Sequence, residues 1–302
     1  MALSFTRETA AAGGDGGAAG WGDGPRPVLV TGAAGNIGSY FVRHAPADRY
    51  ALRLMVRGDE RPARLEKIRP HGELVTADLA DLDALKRACQ GIDTVVHLAA
   101  EPDPSATWAE LLPPNIIGTY NLFAAAKAAG CRRVIFASSI HAVSGYPADV
   151  QVKSSDPVNP GDLYGVSKCF GEALARYMAE QEGLSAVCVR IGAFQPIEAA
   201  QSPHSVAMLD AFVSHRDLQQ LLELCIDDET MRFAIFNAVS NNRFKRLDIS
   251  SARELIGYDP QDDFTAENPR LKGDPGQRSG IREEVGPADG ADDEADEEDD
   301  ED

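Results

Sequence analysis

Tyr164 and Lys168 stand four residues apart near the start of the amphipathic segment DLYGVSKCFGEALARY, Asp162 to Tyr177. On a helix that spacing stacks both side chains on one face, one turn apart. A free phenol ionises near pH ~10, too high for a base at neutral pH. An ammonium beside it favours the phenolate and lowers that value. The pair therefore has two readings: a solvated surface pair, or an acid–base couple. The elements around it have to decide.

A second group of residues points to a nucleotide. VTGAAGNIG sets Gly32, Gly35 and Gly38, with Asn36 and Ile37 between them, directly after an apolar strand-like run and into a helix-like one. That is the context a dinucleotide fingerprint requires. Gly32 permits the tight turn, Gly35 lets the backbone approach a pyrophosphate at the helix N-terminus, and Gly38 lets helix and strand pack closely. At the end of the second strand an acidic residue would bind the adenosine ribose, but Val56 stands there and Arg57 follows. An arginine pairs with a 2′-phosphate, so the expected cofactor is NADP, with NAD as the alternative. In the other reading Arg57 faces water and Asp59 or Glu60 reaches the ribose. Asp78, ending the third strand, could accept from the adenine amino group with Leu79 beside it, or cap the next helix, for which Asp81 is better placed. His97-Leu98-Ala99-Ala100 ends the fourth strand at the same edge, and the two alanines leave room for a cofactor.

The elements that must position these residues alternate. PVLVTG, YALRLMV, ELVTAD, DTVVHLAA, RRVIFASS and SAVCVRIG read as strands, and helices are read between them at NIGSYFVRHA, 81–89, NIIGTYNLFAAAKAAG and the Tyr164 segment. Such alternation predicts an α/β fold, a Rossmann-type doubly wound parallel sheet covered on both faces. Beyond Gly192 the pattern changes to a loop, the helix SHRDLQQLLELCI, the strand RFAIFNAVS and the helix DISSARELIGY. These pieces predict a small C-terminal substrate lobe over the sheet edge. The expected organisation is a disordered leader over 1–25, one domain over 26–270 (core about 26–192, lobe about 193–265) and a disordered acidic tail over 271–302.

Composition excludes several classes. The 302 residues carry a formal charge of −19, but Glu283 to Asp302 holds 13 acidic and no basic residues, leaving about −6 for the rest. No basic stripe forms, so no nucleic-acid partner is expected. No apolar run is long enough for a membrane span, and the N-terminus lacks a signal-peptide core. Cys89, Cys131, Cys169, Cys188 and Cys225 are scattered, without metal-ligand spacing. No metal is expected, and a reducing cytoplasm fits.

TGAAGNIG, ADL, HLAA, NIIGTYN, ASS, YGVSK and RIG, in that order, together resemble the extended short-chain dehydrogenase/reductase superfamily. The resemblance implies a catalytic set of Ser139, Tyr164 and Lys168. Ser139 would orient the substrate oxygen, with Ser138 as its alternative. Lys168 would also hold the cofactor ribose. Asn115 would support a relay water or be an ordinary buried amide, and Ile191 of RIG would lie against the cofactor. Within the superfamily, ASSIHAVSGYP, VRIGAFQP and SHRDL look most like uronate dehydrogenases and aldose 1-dehydrogenases, which oxidise a cyclic sugar at C1 to a lactone. The implied substrate contacts are Ser139, Ile140, His141, Tyr164 and Ala193. Three positions depart from the uronate pattern. Ile140 replaces an asparagine, Ala193 a serine, and Ala207 stands where an arginine would meet the sugar carboxylate. A neutral or differently substituted sugar therefore gains weight. An epimerase or ketone reductase is the second reading, and a cofactor-sensing protein without chemistry the third. Tyr120, Phe123, Phe170 and Tyr177 are further expected at the interface of a homodimer.

Overall fold

The computed structural model of the chain describes residues 5–7 and 24–271. Most of the expected leader and tail lies outside the described residues. Two parts lie inside and correct those boundaries. Phe5–Arg7 forms strand β1, with Phe5 packed on the main core, and Leu271 packs beside Phe212 and Phe264.

The chain continues through β2 (Arg26–Thr31), α1 (Asn36–His44), β3 (Tyr50–Val56), α2 (Pro62–Ile68), β4 (Glu73–Thr76), α3 (Leu82–Cys89) and β5 (Thr94–His97). Next come α4 (Trp108–Leu111), a π-helical stretch over Leu112–Gly118, α5 (Thr119–Ala129), β6 (Arg133–Ser139), α6 (Leu163–Glu180) and β7 (Ser185–Ile191). The last part holds β8 (Ala193–Gln195), α7 (Ile197–Ala200), β9 (Phe212–Ser214), α8 (His215–Asp227), β10 (Met231–Ala238), α9 (Ser250–Ile256) and α10 (Phe264–Glu267). β5, β6 and β7 are buried along their whole length, which is why their middles read as apolar, β-branched stretches without strict alternation. Helix α2 is invisible to that test, since Ile68 is its one buried residue.

Eight strands form one sheet in the order β1-β10-β7-β6-β5-β2-β3-β4. All neighbours are parallel except β1, which runs antiparallel to β10. Helices α1 and α8 cover one face, and α3, α5 and α6 the other. From β2 the chain winds outward through β3 and β4, and from β5 it winds the opposite way. The loops after β2 and β5 therefore diverge at the C-terminal edge, where such folds open a ligand crevice. The expected lobe is smaller than its sequence suggests. β10 extends the main sheet beside β7, because its buried run has a full parallel partner there. What stands over the edge is the β8–β9 pair with short helices around it.

Two glycines set α6 tightly on β6 and on the turn that follows it. A Cβ at Gly171 would lie 2.1 Å from the Phe136 ring, and one at Gly165 2.3 Å from the His141 carbonyl oxygen. Phe123, expected at an interface, is instead buried against Phe136 with ring centroids 6.4 Å apart. Phe170 is half-buried, while Tyr120 and Tyr177 are exposed. Among the described residues, no helix is long and apolar enough to cross a membrane.

Candidate active site

Helix α6 starts on Asp162, whose Oδ1 accepts from the Gly165 amide at 2.6 Å. Its other oxygen lies 2.6 Å from His141 Nδ1. One carboxylate thus ties the start of the helix to the turn Ile140–Val143 that follows β6. Tyr164 and Lys168 face inward, with only 9% and 4% of their surfaces exposed, so the pair is not a solvated one. The Lys168 ammonium donates to the Ala137 carbonyl at 2.9 Å and lies 5.4 Å from the centre of the Tyr164 ring.

The electrostatics depart from the sequence expectation. Burial pulls Lys168 down to about 8. Burial raises Tyr164 above its ordinary value, a hydrogen bond with the Ser139 side chain opposes the rise, and the charges of Asp162 and Glu101 add to it. The phenol of the free protein is therefore held neutral. Desolvation of the phenol is the largest of these influences and sets the direction.

Side-chain alternation along β6 separates the two serines. Ser139 turns toward Tyr164 and accepts from the His141 amide at 3.2 Å. Ser138 turns the other way and donates to Glu172 at 2.6 Å. Glu172 is buried and holds Arg190 through two contacts of 2.8 Å. Ser138 is thereby committed to a structural ion pair. Asn115, in the π-helical stretch interrupted by Pro113 and Pro114, accepts from the Glu101 amide at 2.8 Å. It donates to the Glu101 carbonyl and to Ser167, each at 3.0 Å. Both of its N–H groups are spent holding the loop after β5 to α6, which matches the ordinary buried amide. Ile191 is buried at the end of β7 between Ser139 and Ala238, and Ala193 opens β8.

The crevice between the β2 and β5 loops is a cleft of about 430 Å³. Gly32, Gly35, Asn36, Ile37, Gly38, Arg57, Leu79, Leu98, Ala99 and Ala100 line it, as expected from sequence. Asp78, Asn115, Tyr164, Lys168 and Ile191 are not among its lining residues. Asp78 instead accepts from the Ala80 amide at 2.8 Å, and Asp81 caps α3. Glu101 joins the cleft to the Tyr164 cluster, since it lines the one and its charge acts on the other.

The walls suit a dinucleotide. A Cβ at Gly32, whose φ is +65°, would sit 2.9 Å from the Ala99 amide, and one at Gly38 2.2 Å from the Gly32 carbonyl. Thr31 holds the two loops in place, its hydroxyl oxygen accepting from the Leu98 and Ala99 amides at 3.2 and 3.1 Å. It also lies 2.8 Å from Nδ1 of His97, which burial keeps neutral with a pKa near 3. Sequence reasoning offered Glu60 beside Asp59 as an alternative, and missed Thr31, Arg64 and Glu101. Only Thr31, inside the glycine motif, carried a signal. Among the described residues no cluster of His, Cys, Asp or Glu is placed to hold a metal.

Residues 28–254 match the NAD dependent epimerase/dehydratase family. The NAD-dependent glucose-6-phosphate dehydrogenase of Haloferax volcanii is 36% identical over 82% of this chain and 98% of its own length. The L-arabinose 1-dehydrogenase (NAD(P)(+)) of the same organism is 35% identical over 78% of this chain and 96% of its own. A crystal structure of a uronate dehydrogenase mutant from Agrobacterium tumefaciens, complexed with NAD, superposes with a TM-score of 0.71 at 32% identity. It covers 87% of this chain and 91% of that one. With the glycine loop, the switch-point cleft and the Tyr164 helix in one fold, the chain belongs to the NAD-dependent epimerase/dehydratase family.

Proposed function

We propose that the protein is an NAD(P)-dependent dehydrogenase that oxidises a sugar at C1 to the lactone. The observation that carries this reading is the convergence of Ser139, Tyr164 and Lys168 on one edge of the sheet, beside the dinucleotide cleft. The similarity to glucose-6-phosphate, arabinose and uronate dehydrogenases supports sugar chemistry over the alternatives.

In this mechanism the sugar's C1 oxygen lies between the Ser139 hydroxyl and the Tyr164 phenol. Ser139 orients it, and Tyr164 receives the C1 hydroxyl proton. When bound, the oxidised nicotinamide supplies the hydride acceptor and a positive charge beside the phenol. That charge favours phenolate at the moment it is needed. Lys168 keeps two N–H groups beyond the one given to Ala137, enough for the ribose hydroxyls. His141, 5.5 Å edge-on from the Tyr164 ring, is a second sugar contact. Ile140, Ala193 and Ala207 offer no cation, which supports a sugar without a carboxylate at that position. Val56 at the strand end, with Arg57 and Arg64 in the cleft, supports NADP as a cofactor and NAD as the alternative. Five free thiols support a reducing cytoplasm. Exposed Tyr120, Ile117, Val166 and Tyr177 on α5, α6 and the stretch before α5 support a homodimer through those helices.

A panel of free aldoses, uronates and sugar phosphates, followed at 340 nm with NAD and NADP, tests the reading. One sugar should reduce cofactor and yield a lactone. Turnover only with a ketone or a nucleotide-sugar would reject it.

A further inference from the structure

We infer that Glu60 is the acceptor for the adenosine ribose of NAD, and that it opposes Arg57 and Arg64 in setting the choice between NAD and NADP. The inference rests on the cleft being the dinucleotide site. In such folds a carboxylate at the end of the second core strand takes the ribose hydroxyl. Here β3 ends on apolar Val56, so the strand end offers nothing. The chain then turns at Gly58, whose φ of +98° suits glycine. That turn brings the Glu60 carboxylate back under the strand end. Its two oxygens accept from the Arg57 and Gly58 amides, both at 2.8 Å.

Three consequences follow from that geometry. The side chain is fixed by two backbone donors, so little rotamer freedom is lost on binding. Each carboxylate oxygen keeps a lone pair, enough to receive a hydroxyl of a vicinal diol. Glu60 also lines the cleft. Asp59 is the other acidic residue in reach by sequence. It is not among the lining residues and pairs with Arg57 at 3.3 Å, where both side chains are mostly exposed. A 2′-phosphate in place of the hydroxyl would set a dianion against Glu60. Arg57 and Arg64 line the same part of the cleft and offer it cations. The diol of NAD thus goes to Glu60 and the phosphate of NADP to the arginines.

The test is fluorescence titration of the full chain with NADH and NADPH, for the wild type and Glu60→Gln. Losing a charge-assisted hydrogen bond to NADH and a repulsion toward NADPH should move the ratio of the two dissociation constants by roughly tenfold toward NADPH. A ratio that moves less than twofold, or an equal loss for both cofactors, overturns the inference. Glu60 also holds its loop, so a second measurement uses no variant. NADH lacking the adenosine 2′-hydroxyl should bind the wild type several-fold more weakly than NADH, and equal binding overturns the inference. If neither cofactor binds, the cleft reading itself fails. If both bind without regard to Glu60 or the 2′-hydroxyl, this inference alone fails.

Discussion

Replacing Lys168 with methionine should make the protein more stable and inactive. The ammonium is buried, and burial takes it from 10.5 to about 8. At about 1.36 kcal/mol per pH unit, that gap is a cost of about 3 kcal/mol in the folded state at pH 7. Methionine fills a similar volume without the charge. It orphans the Ala137 carbonyl, now bonded at 2.9 Å, which costs about 1–2 kcal/mol. A net gain of about 1–2 kcal/mol at pH 7 is left. Below pH 8 both folded and unfolded wild type carry the proton, and the full cost stands. Between about 8 and 10.5 the unfolded chain keeps a proton that the folded protein has released, so wild-type stability climbs with pH relative to the variant. By pH 10 the lysine cost is below about 1 kcal/mol, and the variant should be the less stable protein. Urea unfolding of both proteins without cofactor, at pH 7 and at steps up to pH 10, measures the difference, and the comparison cancels the tyrosines that titrate in the same range. A wild type more stable at pH 7, or a difference that stays flat with pH, would refute the electrostatic account of this lysine.

The two serines should separate cleanly. Ser138→Ala removes a donor from the buried Glu172–Arg190 pair and should cost about 1–3 kcal/mol in urea unfolding while sparing turnover. Ser139→Ala should leave stability near wild type and lower kcat about 10²-fold or more. Arg57→Ala should weaken NADPH in a fluorescence titration far more than NADH, and an equal loss would mark Arg57 as structural. Light scattering on the protein trimmed of residues 272–302 should return a dimer mass at micromolar concentration, and replacing exposed Tyr120 and Tyr177 with lysine should return a monomer.

Much of this was legible in the chain, for identifiable reasons. Central strands such as β6 are buried on both faces, and the Val134–Ala137 stretch therefore writes a continuous apolar run. Gly32 and Gly38 are forced by contacts that no side chain survives. The choice of Glu60 over Asp59 at the ribose carried no such mark. It depends on a turn at Gly58 and two backbone hydrogen bonds, and no periodicity reports those. The Tyr164–Lys168 spacing predicted their shared helix face, but in the cofactor-free protein the phenol shifts upward rather than down, because spacing says nothing about desolvation. Phe123 was misplaced for a related reason. A helix covering a buried sheet has an apolar face whether or not another helix packs against it. Strand β10 was assigned to a lobe because its sequence position, late in the chain, does not tell which sheet it joins.

The most direct measurement is the turnover of Tyr164→Phe with the best sugar of the panel, followed at 340 nm beside a cofactor titration. The change removes one oxygen and keeps the ring. Tyr164 as the proton acceptor predicts a fall in kcat on the order of 10²–10⁴-fold, with cofactor affinity within about twofold of wild type. Turnover within a few-fold of wild type would contradict it.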